Sequence, residues 1–363
     1  LLFWAALRAP CQDESLESDP AILVCRYLVE DCGFEADLSS DRRRTPLFCA
    51  ASAGHPGVLH YLLQLRADPR HRDFQQQTAL FFASQSTPGA AALPSSPKSY
   101  AAQCHEMLLA ARAEASSQDD NGQTALFYAV TKADAGSVAA LLSSGAAGVE
   151  IQDRMLKQTA LFYAAKEPSA EVVELLLNGG CKVDEVDSRL QSSLFFAALA
   201  GHADCIRVLL KGKAQIDLQD SQKETALTYA ANNNHVEACR VLLAARADPS
   251  IPNINDCTPA KIALNPQPAT KEHPELERPE ALRELFTREL RRRKEAFRAQ
   301  QLALLESSER PMKGRRLLKR DTTDSVSAVP SPKKRKKRAP GVGQEDDVAS
   351  VASSGFFSPA PLD

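Results

Sequence analysis

The sequence predicts an all-α solenoid, a stack of helix-turn-helix repeats joined by hairpin-like loops, followed by a charged helix and a disordered basic tail. Three observations predict it. Thr45, Thr78, Thr124, Thr159, Ser192, Thr225 and Thr258 open similar phrases at intervals of 33, 46, 35, 33, 33 and 33 residues, and a near-constant period of this size marks one supersecondary unit repeated along a chain. Each phrase is followed by a second apolar stripe, such as Val58-Leu59-Tyr61-Leu62-Leu63 or Cys205-Ile206-Val208-Leu209-Leu210, so each unit holds two short helices. A unit this small cannot bury its own hydrophobic face, so neighbouring units supply the core.

The chain opens Leu1-Leu2-Phe3-Trp4-Ala5-Ala6, which matches the inside of a first helix. The expectation is a fragment whose first repeat lacks its Thr. The remnant of a signal peptide's apolar core is the alternative, but it has no basic n-region. The phrases then read Thr45-Pro46-Leu47-Phe48-Cys49-Ala50, Thr78-Ala79-Leu80-Phe81-Phe82-Ala83, Thr124-Ala125-Leu126-Phe127-Tyr128-Ala129 and Thr159-Ala160-Leu161-Phe162-Tyr163-Ala164. Ser192-Ser193-Leu194-Phe195-Phe196-Ala197, Thr225-Ala226-Leu227-Thr228-Tyr229-Ala230 and a weak Thr258-Pro259-Ala260-Lys261-Ile262-Ala263 complete the series. Thr is expected to cap the first turn through its hydroxyl, with Pro or Ala suiting the first helical position. The pairs Ala50-Ala51, Ala164-Ala165, Ala197-Ala198 and Ala230-Ala231 are small where repeats approach closely. Asn178-Gly179-Gly180 and Lys211-Gly212-Lys213 fit helix C-termini. Asp73, Asp119, Asp187 and Asp220, each five residues before the Thr or Ser, are placed to bond their own turns. Inserts near Arg8 to Asp19 and Ser86 to Pro97 read either as binding loops or as tolerated slack.

These phrases resemble the Thr-Pro-Leu-His-x-Ala of ankyrin repeats. The resemblance covers residues 1–265, about eight repeats with the first one truncated. It implies a concave face, built from loop tips and first helices, that binds another protein. The tips are then Arg42, Arg43 and Arg44; Gln75, Gln76 and Gln77; Gln123; Lys157 and Gln158; Arg189, Leu190 and Gln191; and Gln222 and Lys223. Most lack the Gly that the family often has in this turn. A second departure is Phe in place of the family's His at Phe48, Phe81, Phe127, Phe162 and Phe195, which makes the contact between repeats apolar. With Tyr128, Tyr163, Phe196 and Tyr229 these rings form either interlocked core or an accessible aromatic strip.

Residues 266–306 form a linker and a charged amphipathic helix, with Leu282, Leu285, Phe286, Leu290, Phe297 and Leu304 at helical spacing, which either caps the stack or joins a partner helix. Residues 307–363 form the basic tail, and positions 310–338 hold twelve basic and two acidic side chains. Lys333, Lys334, Arg335, Lys336, Lys337 and Arg338 read as a nuclear localisation signal for an import receptor, as a nonspecific nucleic-acid contact, or as a solvated run. Ser331 before Pro332 resembles a proline-directed phosphorylation site. The closing Gly355-Phe356-Phe357-Ser358-Pro359 lacks the aliphatic residue and Gln of the clamp-binding motifs it resembles.

Charge divides unevenly. The first 265 residues hold 23 Lys/Arg against 31 Asp/Glu, and the remainder holds 21 against 15. No apolar run approaches the roughly 18 residues of a membrane-spanning helix, so no membrane role is expected. Nine cysteines without zinc-type spacing read as reduced core thiols, with no metal and no cofactor. Phosphate-binding, nucleophile-elbow and metalloprotease motifs do not occur, and Gly54-His55, Gly201-His202 and Asn234-His235 recur at one structural position, so no catalytic residue is assigned. The expected protein is a non-enzymatic scaffold or adaptor in the nucleus or cytoplasm, its partner being another protein. The alternative is the targeting module of a larger kinase, acyltransferase or ubiquitin ligase.

Overall fold

A computed structural model describes residues 1–7, 19–86, 99–145, 148–265 and 280–308. Most of both inserts, the linker 266–279 and everything from residue 309 onward, including Ser331, Lys333 to Arg338 and the Phe356-Phe357 pair, lie outside the described residues. The elements come in pairs along the chain: α1 (Leu2–Ala6) with α2 (Pro20–Arg26), α3 (Pro46–Ser52) with α4 (Pro56–Gln64), and α5 (Ala79–Gln85) with α6 (Tyr100–Ala110). Then follow α7 (Ala125–Thr131) with α8 (Ala135–Ser143), α9 (Ala160–Lys166) with α10 (Ala170–Asn178), α11 (Ser193–Ala200) with α12 (Ala203–Lys211), and α13 (Ala226–Asn232) with α14 (Val236–Ala244). A single short helix, α15 (Pro259–Leu264), and the long α16 (Glu280–Ser308) complete the described chain. First helices pack on first helices and second on second, from α1 against α3 through to α13 against α15.

The core runs through the stack without a break. All eight residues of the four alanine pairs are fully buried, which lets the first helices approach. Phe48, Phe81, Phe127 and Phe162 are each 1% exposed and Phe195 2%, so these rings are core and do not form an accessible strip. Each meets the aromatic residue of the next repeat edge-on. The pairs are Phe48–Phe82 at 5.2 Å, Phe81–Tyr128 at 5.6 Å, Phe127–Tyr163 at 5.3 Å, Phe162–Phe196 at 5.8 Å and Phe195–Tyr229 at 5.7 Å between centroids. Such an arrangement sets the positive ring edge on the negative face and contributes about 0.5–1.5 kcal/mol per pair beyond burial.

The structure corrects the expected Thr caps. Every Thr or Ser of the series sits at the N-cap, yet Thr45, Thr78, Thr124, Thr159 and Ser192 make no side-chain capping bond, and four of these hydroxyls are buried without a partner. All five are followed three residues on by Phe, which offers no polar atom in return. Where Thr228 replaces Phe, the cap forms: Thr225 Oγ1 accepts from the Thr228 N–H and Thr228 Oγ1 accepts from the Thr225 N–H. Thr258 likewise caps Lys261 N at 3.1 Å.

On α16, Leu282 and Phe286 are fully buried in the core that also holds Leu242, Leu243 and Ala263. Arg293 Nη2 donates to the carbonyl of Ala247, and Arg293 Nη1 lies 3.3 Å from Asp248 Oδ1, just beyond the C-terminus of α14. This part of α16 therefore lies against the end of α14, and one compact unit extends from Leu1 to Leu305. Phe297, Leu302 and Leu304 farther along are exposed.

Thr124→Val replaces an unpartnered buried hydroxyl with a methyl of similar shape, and is expected to leave stability unchanged within about 0.5 kcal/mol or to raise it. Thr225→Val removes a working cap and should cost about 1 kcal/mol. Urea unfolding of both variants checks this contrast, and an equal loss in both would refute the account of the caps.

Candidate functional site

The loop before each first helix is a tight turn closed on one acidic side chain. Asp73 Oδ1 accepts from the backbone N–H of Gln75 at 2.9 Å and of Gln77 at 3.0 Å. Asp119, Asp187 and Asp220 each hold two N–H groups of their own turns in the same way. Asp153 does so for Leu156 and Gln158, although an extra residue places it six before Thr159 and hides it from the sequence pattern. Asn253 takes the role in the last turn. The tip residue of each turn is left-handed: Arg43, Gln76, Gly122, Lys157, Leu190, Lys223 and Asp256 have φ of 54–77°. Only Gly122 is the residue that suits this region, and a Cβ there would lie 2.8 Å from Arg154 Cγ.

The residue just before each Thr or Ser crosses to the following repeat. Arg44 Nε reaches Asp73 Oδ2 at 3.1 Å, Gln158 Nε2 reaches Asp187 Oδ2 at 2.9 Å, and Gln191 Nε2 reaches Asp220 Oδ2 at 3.0 Å. Gln77 Nε2 donates to Tyr128 at 3.1 Å and Gln123 Nε2 to Tyr163 at 2.9 Å. Those phenols in turn donate to Asp119 and Asp153, as Tyr229 does to Asp220, at 2.8–2.9 Å. At the two joints where the ring is Phe, a cation lies over it: Arg44 over Phe82 at 4.6 Å and Lys166 over Phe196 at 4.8 Å. The last joint reverses polarity, with Asn253 Nδ2 donating to Glu224 Oε1 at 3.1 Å. Burial, reinforced by the Asp153 carboxylate that accepts its hydrogen bond, pushes the Tyr163 phenol up to about 12, and burial together with Asp119 and Asp220 raises Tyr128 and Tyr229. Burial lowers the Lys166 ammonium from its ordinary value.

The tips are also tied to one another through the backbone. Phe74, Asp120, Arg154, Ser188, Ser221 and Ile254 each donate an N–H to a carbonyl of the preceding turn, at 2.9–3.4 Å. The sequence-predicted tip residues divide accordingly. Gln77, Gln158 and Gln191 are buried, and their amides, together with Arg44 and Gln123, are committed to the joint. Arg42, Arg43, Gln75, Lys157, Arg189, Gln222 and Lys223 are exposed, and Gln76 is half-buried. Four apolar side chains share this row, of which Leu190 alone was expected among the tips: Phe74, Met155, Leu190 and Ile254 are 62%, 80%, 52% and 58% exposed. The signal that finds them is an apolar residue inside a turn, out of phase with both helical stripes.

Elsewhere the polar groups serve the fold. His202 Nε2 and His235 Nε2 lie 3.0 and 2.9 Å from the carbonyls of Lys166 and Leu199 in the preceding repeat. A Cβ at Gly201 would lie 2.5 Å from the His235 ring, so this turn requires Gly. The eight described cysteines are free, and burial raises Cys104, Cys181 and Cys239 to about 12. Among the described residues there is no group of three or more His, Cys, Asp or Glu able to hold a metal ion, and no helix long and apolar enough to cross a membrane.

Tyr163→Phe deprives Gln123 and Asp153 of a shared partner and is expected to cost about 1–2 kcal/mol in urea unfolding. The folded phenol titrates above the unfolded value of about 10. Its stabilisation is therefore complete below pH 10 and is lost as pH rises from there toward 12. Urea midpoints measured across that range should fall less steeply in Tyr163→Phe than in the parent, and parallel slopes would contradict the assignment.

The family described as ankyrin repeats, in three copies, matches residues 18–93, 98–187 and 171–253. No curated protein matches the sequence. Among solved structures, the crystal structure of the human ASB11 ankyrin repeat domain is similar with a TM-score of 0.54 and 21% identity, covering 68% of this chain and 98% of that one. Ankyrin repeats indicate a protein–protein interaction module. The match extends over more than half of the chain, on a fold of the same kind, and the chain belongs to the ankyrin repeat family.

Proposed function

We propose that the chain is a non-enzymatic scaffold or adaptor that binds a protein partner along its turn tips and the adjoining first helices. The observation that carries this reading is the row itself. Successive tips are locked together by backbone bonds, while Arg42, Arg43, Gln75, Lys157, Arg189, Gln222 and Lys223 project from them exposed. Left-handed residues at the tips, with backbone bonds to the preceding turn, hold each turn in one shape. A surface fixed before binding loses little entropy on association.

The basic run Lys333 to Arg338 supports delivery to the nucleus by an import receptor, with phosphorylation of Ser331 reducing its positive charge. Both assignments rest on the sequence.

The full chain carrying Arg42→Ala, Gln75→Ala and Gln222→Ala is expected to lose proteins that the parent captures from a cell extract, at unchanged melting temperature. Retention of every captured protein would remove the tips as the binding surface. Replacing Lys333 to Arg338 by alanine should shift a fluorescently labelled chain from nucleus to cytoplasm, and an unchanged distribution would dispose of the import reading.

A further inference from the structure

Cations on the second helices are neutralised within the fold. Arg207 lies 3.1 Å from Glu237, Lys211 3.2 Å from Glu174 and Arg240 3.3 Å from Glu237. The tip cations are different. Arg42, Arg43, Lys157, Arg189 and Lys223 have no carboxylate within ion-pair distance among the described residues, although residues 1–265 carry an excess of acid. The contrast is sharpest over the three consecutive turns of the fifth, sixth and seventh repeats, which present Lys157, Arg189 and Lys223. On the same turns stand Met155 and Leu190, 80% and 52% exposed. Lys157, Leu190 and Lys223 are themselves the left-handed tip residues, with φ of 58°, 62° and 57°, so the turns fix the direction of each side chain's Cα–Cβ bond.

Resting on the tip-row reading above, we propose that these three turns take an extended acidic segment of a partner protein, with apolar side chains between its acids seated on Met155 and Leu190. Stacked helices stand roughly 8–10 Å apart, and an extended chain advances about 3.3 Å per residue. Successive tips therefore meet acids about three residues apart, over a segment of about six to seven residues. Asp120 and Asp256, exposed on the turns to either side, repel an acidic chain that runs past the basic group, which limits its register. The apolar residues among the cations select a peptide over a nucleic acid. Phosphates would engage the charges but leave Met155 and Leu190 in water, and these three turns present no aromatic side chain for base stacking.

The test uses the full chain with Lys333 to Arg338 and the six upstream cations Arg310, Lys313, Arg315, Arg316, Lys319 and Arg320 replaced by alanine, so that the basic runs of the tail do not attract the probe. The probe is a fluorescein-labelled twelve-residue peptide carrying Asp at every third position with Leu and Ser between, followed by anisotropy. Binding is expected to weaken tenfold or more in Lys157→Glu/Arg189→Glu/Lys223→Glu and about threefold in Met155→Ser/Leu190→Ser. A peptide with Lys in place of Asp should not bind. The substituted side chains are exposed, and an unchanged circular dichroism melt shows that the variants fold. Binding within twofold of the parent in the charge-reversed variant, or equal binding of the Lys peptide, overturns the proposal. An oligouridylate that displaces the peptide and is itself lost in the charge-reversed variant overturns it in favour of nucleic acid. If the charge reversal releases no extract protein while Arg42→Ala/Gln75→Ala/Gln222→Ala does, the acidic segment fails and the tip-row reading stands. If neither variant releases any, both fail.

Discussion

Everything in the array depends on the joint between one repeat and the next. No pair of short helices closes a core alone, so the free energy that holds α9 and α10 in place comes largely from their neighbours. Each internal joint has two layers. An apolar layer sets a Phe edge against the next ring, and a polar layer hands a side chain from the end of one turn to a buried Asp of the next or to the Tyr bonded to that Asp. That Asp also closes its own turn. Turn geometry and stacking are therefore controlled by the same carboxylate, and the display of the tips follows from it.

Phe in the place of the family's His shifts the balance between these layers. Burying a Phe side chain contributes about 1.5–3 kcal/mol, and its edge contact adds to this. Ahead of four of these rings the N-cap hydroxyl is buried without a partner, at a cost of about 1–3 kcal/mol. The two effects are comparable, which explains how the exchange persists at five consecutive positions. At the end of the array the exchange is reversed. Thr228 gives up the ring and gains a reciprocal cap, and beyond it α16 buries Leu282 and Phe286 and bonds the chain just past α14 through Arg293.

The periodic part of the fold was legible in the sequence because period, small residues and turn acids repeat together. The Ala pairs, the left-handed tips and the structural histidines all stand at positions that the period marks. What escaped the sequence has physical reasons. Asp153 was hidden by a one-residue insertion that shifts the count but leaves the turn intact. The Gln side chains looked like neutral surface groups because nothing in a sequence shows that a long amide reaches sideways to the next repeat. Met155, Phe74 and Ile254 were missed because isolated apolar residues in turns resemble noise until neighbouring turns place them in one row. Thr caps were over-read, since a Thr or Ser at the N-cap does not by its position alone bring its hydroxyl onto the backbone N–H three residues on.

The polar layer also carries a direction. From Arg44 to Gln191 the upstream repeat gives the hydrogen and the downstream repeat receives it, whereas at Glu224 and Asn253 the roles are exchanged. The repeats are consequently not interchangeable modules. A copy of the sixth repeat inserted after the seventh would set the Glu224 carboxylate against Asp187, while the eighth repeat moved behind Gln191 would present an amide to an amide. The order of the units is written into their edges as a lock-and-key sequence, and the array is a sentence with grammar, not a string of synonyms.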